Sequence, residues 1–289
     1  MDFDFCLHSV FKKLMIKMLL SMKYLFVIMI IMFASCGNPA TQAKTESVAT
    51  KQQSKERFPA PSGYRKVQVK KGSFAEYLRN LPLKKPFSDL HYYNGSIKSN
   101  HYEGAVVDID FGHNQAEQCA DAVIFLRAQW LWKTKQYSKI HFNFDNGFRA
   151  DYVKWAEGQR IHVNTRNWVC TWRKDAKRDY SYATFRKYLS LVFVYAGTAS
   201  LSRELKRIQP KELTIGDVLI NGGYPGHVVI IVDEIVNAKG EKALLLAQGY
   251  TPAQEIEIFN NWFPISQSDK EVVTPGWIFK GNYAMRFNN

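Results

Sequence analysis

Hydrophobic positions change their spacing several times along the chain. Residues 24–33 read YLFVIMIIMF, an unbroken apolar run. Residues 38–56 (NPATQAKTESVATKQQSKE) then carry almost no large apolar side chain, so that stretch cannot bury enough surface to order itself. Beyond it the apolar positions become periodic. Residues 73–80 (SFAEYLRN) predict a short capped helix that ends at Leu81-Pro82. Residues 105–111 (AVVDIDF) alternate as a strand does. Asn114, with Glu117 three residues on, forms a capping-box pattern and predicts a helix over 116–132. Cys119, Val123, Leu126 and Trp130 recur along it on one face. Shorter elements follow: strands over 140–144, 160–164 and 167–172, a helical turn or two over 150–157, and helices over 182–196 and 200–208. From Leu213 the period changes to strands: GDVLI, HVVIIVDEIV, EKALLLAQGY and EIEIF. The NAKG stretch at 237–240 predicts a hairpin between the middle two. Helices first and an antiparallel sheet later is an α+β pattern, expected as a single globular domain over residues 57–289.

Composition narrows the class. Hydrophobic residues make up 46% and charged residues 22% of the chain. This excludes a disordered, collagen-like or multi-span membrane protein. Lys and Arg number 39 against 26 Asp and Glu, a formal charge of +13. The basic residues are spread through the chain and match no nucleic-acid module, so nucleic acid is not an expected partner. A positive surface suits anionic peptidoglycan or lipid headgroups.

The apolar run at 24–33 is preceded by Lys12, Lys13, Lys17 and Lys23, the order of a basic n-region and an h-region. Ten residues fall short of the roughly 20 that span a bilayer. The run ends in Phe33-Ala34-Ser35-Cys36-Gly37. Small residues just before a cysteine resemble the lipobox of bacterial lipoproteins, with Phe33 standing where Leu is usual. The resemblance implies cleavage before Cys36 and acylation of its thiol. Residues 1–35 are then a lipoprotein signal peptide and 36–56 a flexible tether. Gly37 in place of Asp implies, in that family, release to the outer membrane. With no acidic cluster after Cys36, the protein is expected in the cell envelope, facing the periplasm. Its first partner is then the membrane, through the lipid anchor. Loss of residues 1–35 removes four Lys and two Asp and leaves a net charge of +11.

Two cysteines remain, Cys119 and Cys170. In the periplasm they are candidates for a disulfide. The alternative begins at Cys119, in the first turns of a helix and directly after Gln118. A helix N-terminus favours a thiolate and lowers the thiol pKa. Its base, usually a histidine, can lie far away in sequence, and His227 opens the strand HVVIIVDEIV. A Gln-Cys pair opening a helix, then Gly-Asp-Val, then Gly-His-Val opening a strand, resembles the papain-like cell-wall enzymes, the NlpC-type peptidases and CHAP amidases. The resemblance implies a papain-like fold, with the helix carrying Cys119 packed on the later sheet. It implies Cys119 as nucleophile, His227 as base, and Gln248 on the following strand as the residue that orients the imidazole. Gln118 becomes a contributor to an oxyanion hole. Gln248 stands where His, Asn, Asp or Glu is more usual. Register supports its place: if the 237–240 turn pairs residues 236 and 241, His227 faces Tyr250, and Gln248 shares its face one diagonal away. Asp233 is on that face too, but about 20 Å along the strand.

The folded part also resembles a family of uncharacterised Bacteroidetes envelope lipoproteins. The stretches that carry this are SFAEYLRNLPLK, QCADAVIFLRAQWLW, IHFNF, SYATFRKYL, GDVLINGGYPGHVVIIVD and LLLAQGYTPAQEI. No activity comes with it. Other candidates point elsewhere. Asp108 and Asp110, with Glu117 or Asp121, have the makings of a glycosidase pair. His141, Asn143 and Asp145 share one face of IHFNFD. Trp155, Trp168, Trp172, Trp262 and Trp277 are candidates to stack on sugars, and Arg127 to enter a buried ion pair. There is no HExxH or CxxC, so no metal site is expected, and no cofactor is expected either. The expected activity is thiol-dependent cleavage or transfer at an amide of a cell-wall peptide. The alternative is a non-catalytic lipoprotein that binds glycan or a protein partner on the same scaffold.

Overall fold

The computed structural model describes residues 53–99, 104–112, 118–266 and 270–288. The signal peptide, Cys36, Asn114 and Glu117 lie outside the described residues. The order within the segment expected as tether begins earlier than Arg57. Ser54–Arg57 forms a helical turn (α1), and Ser54 is buried with its hydroxyl donating to Arg79 O at 2.6 Å.

The elements that follow are β1 (Tyr64–Lys66), α2 (Phe74–Arg79), β2 (Ala105–Val106) and α3 (Cys119–Lys133). Then come β3 (His141–Asn143), β4 (Arg149–Asp151), α4 (Tyr152–Ala156), β5 (Gln159–Val163), β6 (Cys170–Lys174), α5 (Tyr182–Tyr195) and α6 (Thr198–Glu204). The C-terminal part holds β7 (Lys206–Arg207), β8 (Val218–Asn221), β9 (His227–Asn237), β10 (Lys242–Gln248), β11 (Glu257–Ile265), β12 (Glu271–Thr274), β13 (Trp277–Lys280) and β14 (Ala284–Arg286). The architecture is α+β. Its main sheet runs β2-β11-β10-β9-β8-β14-β7, with β1 also on β9, and the described pairings are antiparallel. Two hairpins, β3–β4 and β5–β6, form small separate sheets between α3 and α5. They occupy residues 141–174 of the 108-residue span from Cys119 to His227.

The strand β9 explains its own sequence. His227 through Ile235 are all buried, so residues 228–232 read as continuously apolar rather than alternating. The helices α2 and α3 lie against it. The expected one-sided face of α3 is corrected by the same packing. Cys119 through Gln129 are buried on every side of that helix, because it touches β9, β10, α2 and α6 at once. A helix buried all round has no polar face to display. The strand expected over 105–111 is shorter, since only Ala105 and Val106 pair with β11 before Val107 bridges to Leu83. The helix expected to reach residue 208 ends at Glu204, where the chain turns out to pair Lys206 and Arg207 with β14.

Candidate functional site

The site begins at the start of α3. Gln118 is the N-cap, in extended conformation, and Cys119 is the first helical residue. The Gln118 N–H is used by the Asp121 carboxylate, which accepts it at 2.8 Å. Any oxyanion role for Gln118 therefore falls to its side chain. Gly249 brings the end of β10 onto this helix start. A Cβ at Gly249 would stand 3.1 Å from Ala122 Cβ, 3.1 Å from Gln118 O and 3.6 Å from Cys119 Cα. Glycine is needed there for closeness of approach.

The backbone of Val228, Ala120 and Cys119 itself lies close enough to the Cys119 thiol to favour its charged form. Val228 directly follows His227, so the thiol sits at the start of β9. Sequence reasoning expects a helix N-terminus to lower this thiol. The neighbouring backbone does pull in that direction. Burial opposes them, Asp121 adds to it, and the pKa is pushed up to about 12. With only 5% of its surface exposed, the resting thiol is neutral.

His227 opens β9 opposite Asn221 of β8. Its ring lies against Tyr250, Trp277 and Phe279, with centroids 5.1, 5.5 and 5.9 Å away. Burial pushes its pKa down to about 4, against the raising effect of a bond to Gln248 and together with the nearby Lys98 charge. Gln248, the last residue of β10, places Oε1 2.8 Å from His227 Nε2. The register expected from the turn is off by one beside it, where Lys242 pairs with Val236. A bulge after Leu245 shifts the ladder, and Ala247 pairs with Ile230. That is the register expected at the site end, and there it puts Gln248 on the face of His227.

Sequence reasoning missed what stands behind Gln248. Glu257 is its direct partner on β11, 1% exposed. Its Oε1 accepts from Gln248 Nε2 at 2.9 Å and from Gln254 Nε2 at 3.2 Å. Lys98 Nζ donates to Gln254 Oε1 at 2.7 Å and lies 4.0 Å from Glu257 Oε1. An acid at an inward position of the EIEIF strand was a usable signal, because buried carboxylates need partners. Lys98 and Gln254 gave none.

The remaining candidates are placed elsewhere. Cys119 and Cys170 are both free thiols, Cys119 buried and Cys170 partly exposed. Asp233 is engaged by Arg79 and Lys66, at 2.6 and 2.8 Å. Asp108 and Asp110 lie in irregular chain rather than on a strand, and Asp121 serves the helix cap. His141 Nε2 is 3.5 Å from Glu204, Glu204 also accepts the Asn143 N–H, and Asp145 accepts from Tyr224 and the Ser200 N–H. Among the described residues no three His, Cys, Asp or Glu side chains are grouped to hold a metal ion. Trp155 is core, Trp172 packs tilted against Phe148 and Trp277 tilted against His227. The Arg127 guanidinium lies over the rings of Phe74, Trp130 and Phe287, and burial lowers its pKa to about 10.

The site is closed: His227 is 3% and Gln248 1% exposed. Tyr250 and Trp277 lie over the imidazole, and Tyr250 OH ties to Gly276 O at 3.1 Å. A family model described as a domain of unknown function (4846) matches residues 54–286. No curated protein matches the chain, and no solved structure does. The family match agrees with the resemblance to an uncharacterised family and lends nothing to the papain-like one.

Proposed function

The chain belongs to the family of that domain of unknown function (4846), and we propose that it is an envelope lipoprotein acting as a papain-like thiol peptidase or amidase on cell-wall peptides. One observation carries the reading. A cysteine at the first position of a buried helix has its thiol beside the backbone of Val228, and the preceding residue, His227, is bonded to Gln248 of the next strand. The residue types of a nucleophile, its base and an orienting residue thus stand in one corner of the fold.

The chemistry follows from two neutral partners. With the thiol held high and the imidazole low, there is no resting ion pair. His227 takes the S–H proton as Cys119 sulfur bonds to the amide carbonyl carbon. The carbonyl oxygen becomes an oxyanion, for which the Gln118 side chain is the proposed donor. The C–N bond then breaks, the imidazolium returns its proton to the leaving amine, and a thioester remains. Water, or an acceptor amine in a transfer reaction, attacks that thioester and restores the thiol. The cover of Tyr250 and Trp277 must part for substrate to enter. Acylation at Cys36 would hold the enzyme on the outer membrane, facing the periplasm, within reach of peptidoglycan.

The test is digestion of purified peptidoglycan fragments by the wild type and Cys119→Ala, with new amino groups counted by mass spectrometry. Cleavage by the wild type alone is expected. Equal cleavage by both, or none by either, overturns the reading. Burial of Cys119 and His227 favours the second one, a non-catalytic lipoprotein that binds glycan or a protein partner. It predicts binding unchanged by Cys119→Ala.

A further inference from the structure

From the polarity of the buried hydrogen-bond chain, we infer that Glu257 is a positioning residue that fixes the His227 tautomer, leaving Nδ1 with the lone pair. The inference builds on the reading of His227 as a base, but it concerns the resting protein.

The chain has ends whose hydrogen-bonding roles are not free. A Lys ammonium only donates. Lys98 Nζ on Gln254 Oε1 at 2.7 Å therefore makes that oxygen an acceptor, and the Gln254 NH₂ is turned toward Glu257. A carboxylate only accepts. Glu257 Oε1, at 2.9 Å from Gln248, therefore requires the NH₂ end of Gln248 on its side. The Gln248 oxygen is left facing His227 Nε2 at 2.8 Å. An oxygen cannot donate, so Nε2 must carry the proton.

The alternative amide orientation fails on the same grounds. Turning Gln248 over would set its oxygen against the Glu257 carboxylate oxygen, two acceptors with no proton between them. Both residues are buried, Glu257 and Gln248 at 1% exposure each, so water cannot relieve that clash. A buried acceptor left facing another acceptor is costly enough to hold one orientation. A neutral imidazole has one N–H, so Nδ1 is its only acceptor. Glu257 touches neither thiol nor imidazole and acts only through Gln248.

The test is ¹⁵N NMR of imidazole-labelled full-length protein at neutral pH, with His227 assigned by its loss in His227→Gln. In the wild type, Nε2 should give a protonated, pyrrole-type signal and Nδ1 a pyridine-type signal. Glu257→Met removes the acceptor at similar shape and should convert that single form into a tautomer mixture. Glu257→Gln, whose side-chain oxygen still accepts from Gln248, should keep the wild-type form. An Nδ1–H tautomer in the wild type overturns the inference, as does an unchanged Nε2–H form in Glu257→Met. Should Glu257→Met not fold, the wild-type Gln248 amide protons decide: nuclear Overhauser contacts to Glu257 support the inference, and contacts to the His227 ring overturn it. None of these readouts requires turnover, so failure of the hydrolase reading leaves them intact.

Discussion

Gln248 Oε1 meets His227 Nε2 at 2.8 Å because the β9–β10 ladder contains a bulge. Between the turn and the bulge, Leu245 pairs with Asp233, and beyond it Leu246 pairs with Ile231. One residue of β9 is left over, and the strand is re-aimed by one position. Without that slip Gln248 would present its side chain to the opposite face. The irregularity is therefore what assembles the site.

The pair should be sensitive to its amide. Gln248→Leu deprives His227 of the bond that raises its pKa, so the imidazole should titrate lower still. It also strands the Glu257 carboxylate with one donor fewer, at a cost of about 1–3 kcal/mol. Titration by NMR and urea unfolding check both. A His227 pKa that rises in the variant contradicts the hydrogen-bond assignment.

Thiol labelling should run against the usual expectation for a helix N-terminus. With its pKa pushed up to about 12, Cys119 should resist iodoacetamide at pH 7, while partly exposed Cys170 reacts first. Peptide mapping after brief alkylation decides the order. Rapid labelling of Cys119 at neutral pH would show that the site opens readily or that its thiol is activated.

Acid should weaken the fold through His227. Its ordinary value of 6.5 falls to about 4 on folding, so the unfolded chain binds more protons between those values. Stability is full above about pH 6.5 and is lost as pH drops toward 4, by at most about 3 kcal/mol. His227→Gln should flatten that part of the profile, and parallel urea-midpoint curves for the two proteins would exclude the assignment. Cys119 works in the opposite direction. Its raised pKa means stability lost as pH climbs from about 9 toward 12.

Gly249→Ala tests how the strand end seats the helix. The added methyl meets Ala122 Cβ and Gln118 O at 3.1 Å, tighter than van der Waals contact. Overpacking of this kind costs about 1–3 kcal/mol. A variant as stable as the wild type would mean that the helix start yields without cost.

Membrane attachment rests on residue 36. Cys36→Ser should abolish labelling by a palmitate analogue and release the protein from the membrane fraction. Equal label on both proteins would rule out the lipid anchor there.

Much of the fold is legible along the chain, because periodicity reports which side chains must leave water. Ser73 caps α2 as its sequence predicts, and the 182–196 pattern becomes the helix Tyr182–Tyr195. Cys119, His227 and Gln248 can be picked out one by one, since each sits at an element boundary that local sequence signals. Their electrostatics cannot. A helix N-terminus lowers a thiol in water, and only tertiary burial, with Asp121 beside it, decides that Cys119 is raised instead. The bulge after Leu245 is equally silent in the sequence, because ladder register depends on packing across both strands. Glu257 and Gln254 come behind Gln248 through the pairing of β11 with β10, and Lys98 reaches Gln254 from 156 residues earlier in the chain. Sequence thus determined the elements and the candidate atoms, through local propensity and the burial of apolar faces. Tertiary structure alone decided which charges are desolvated and which way each buried amide must point.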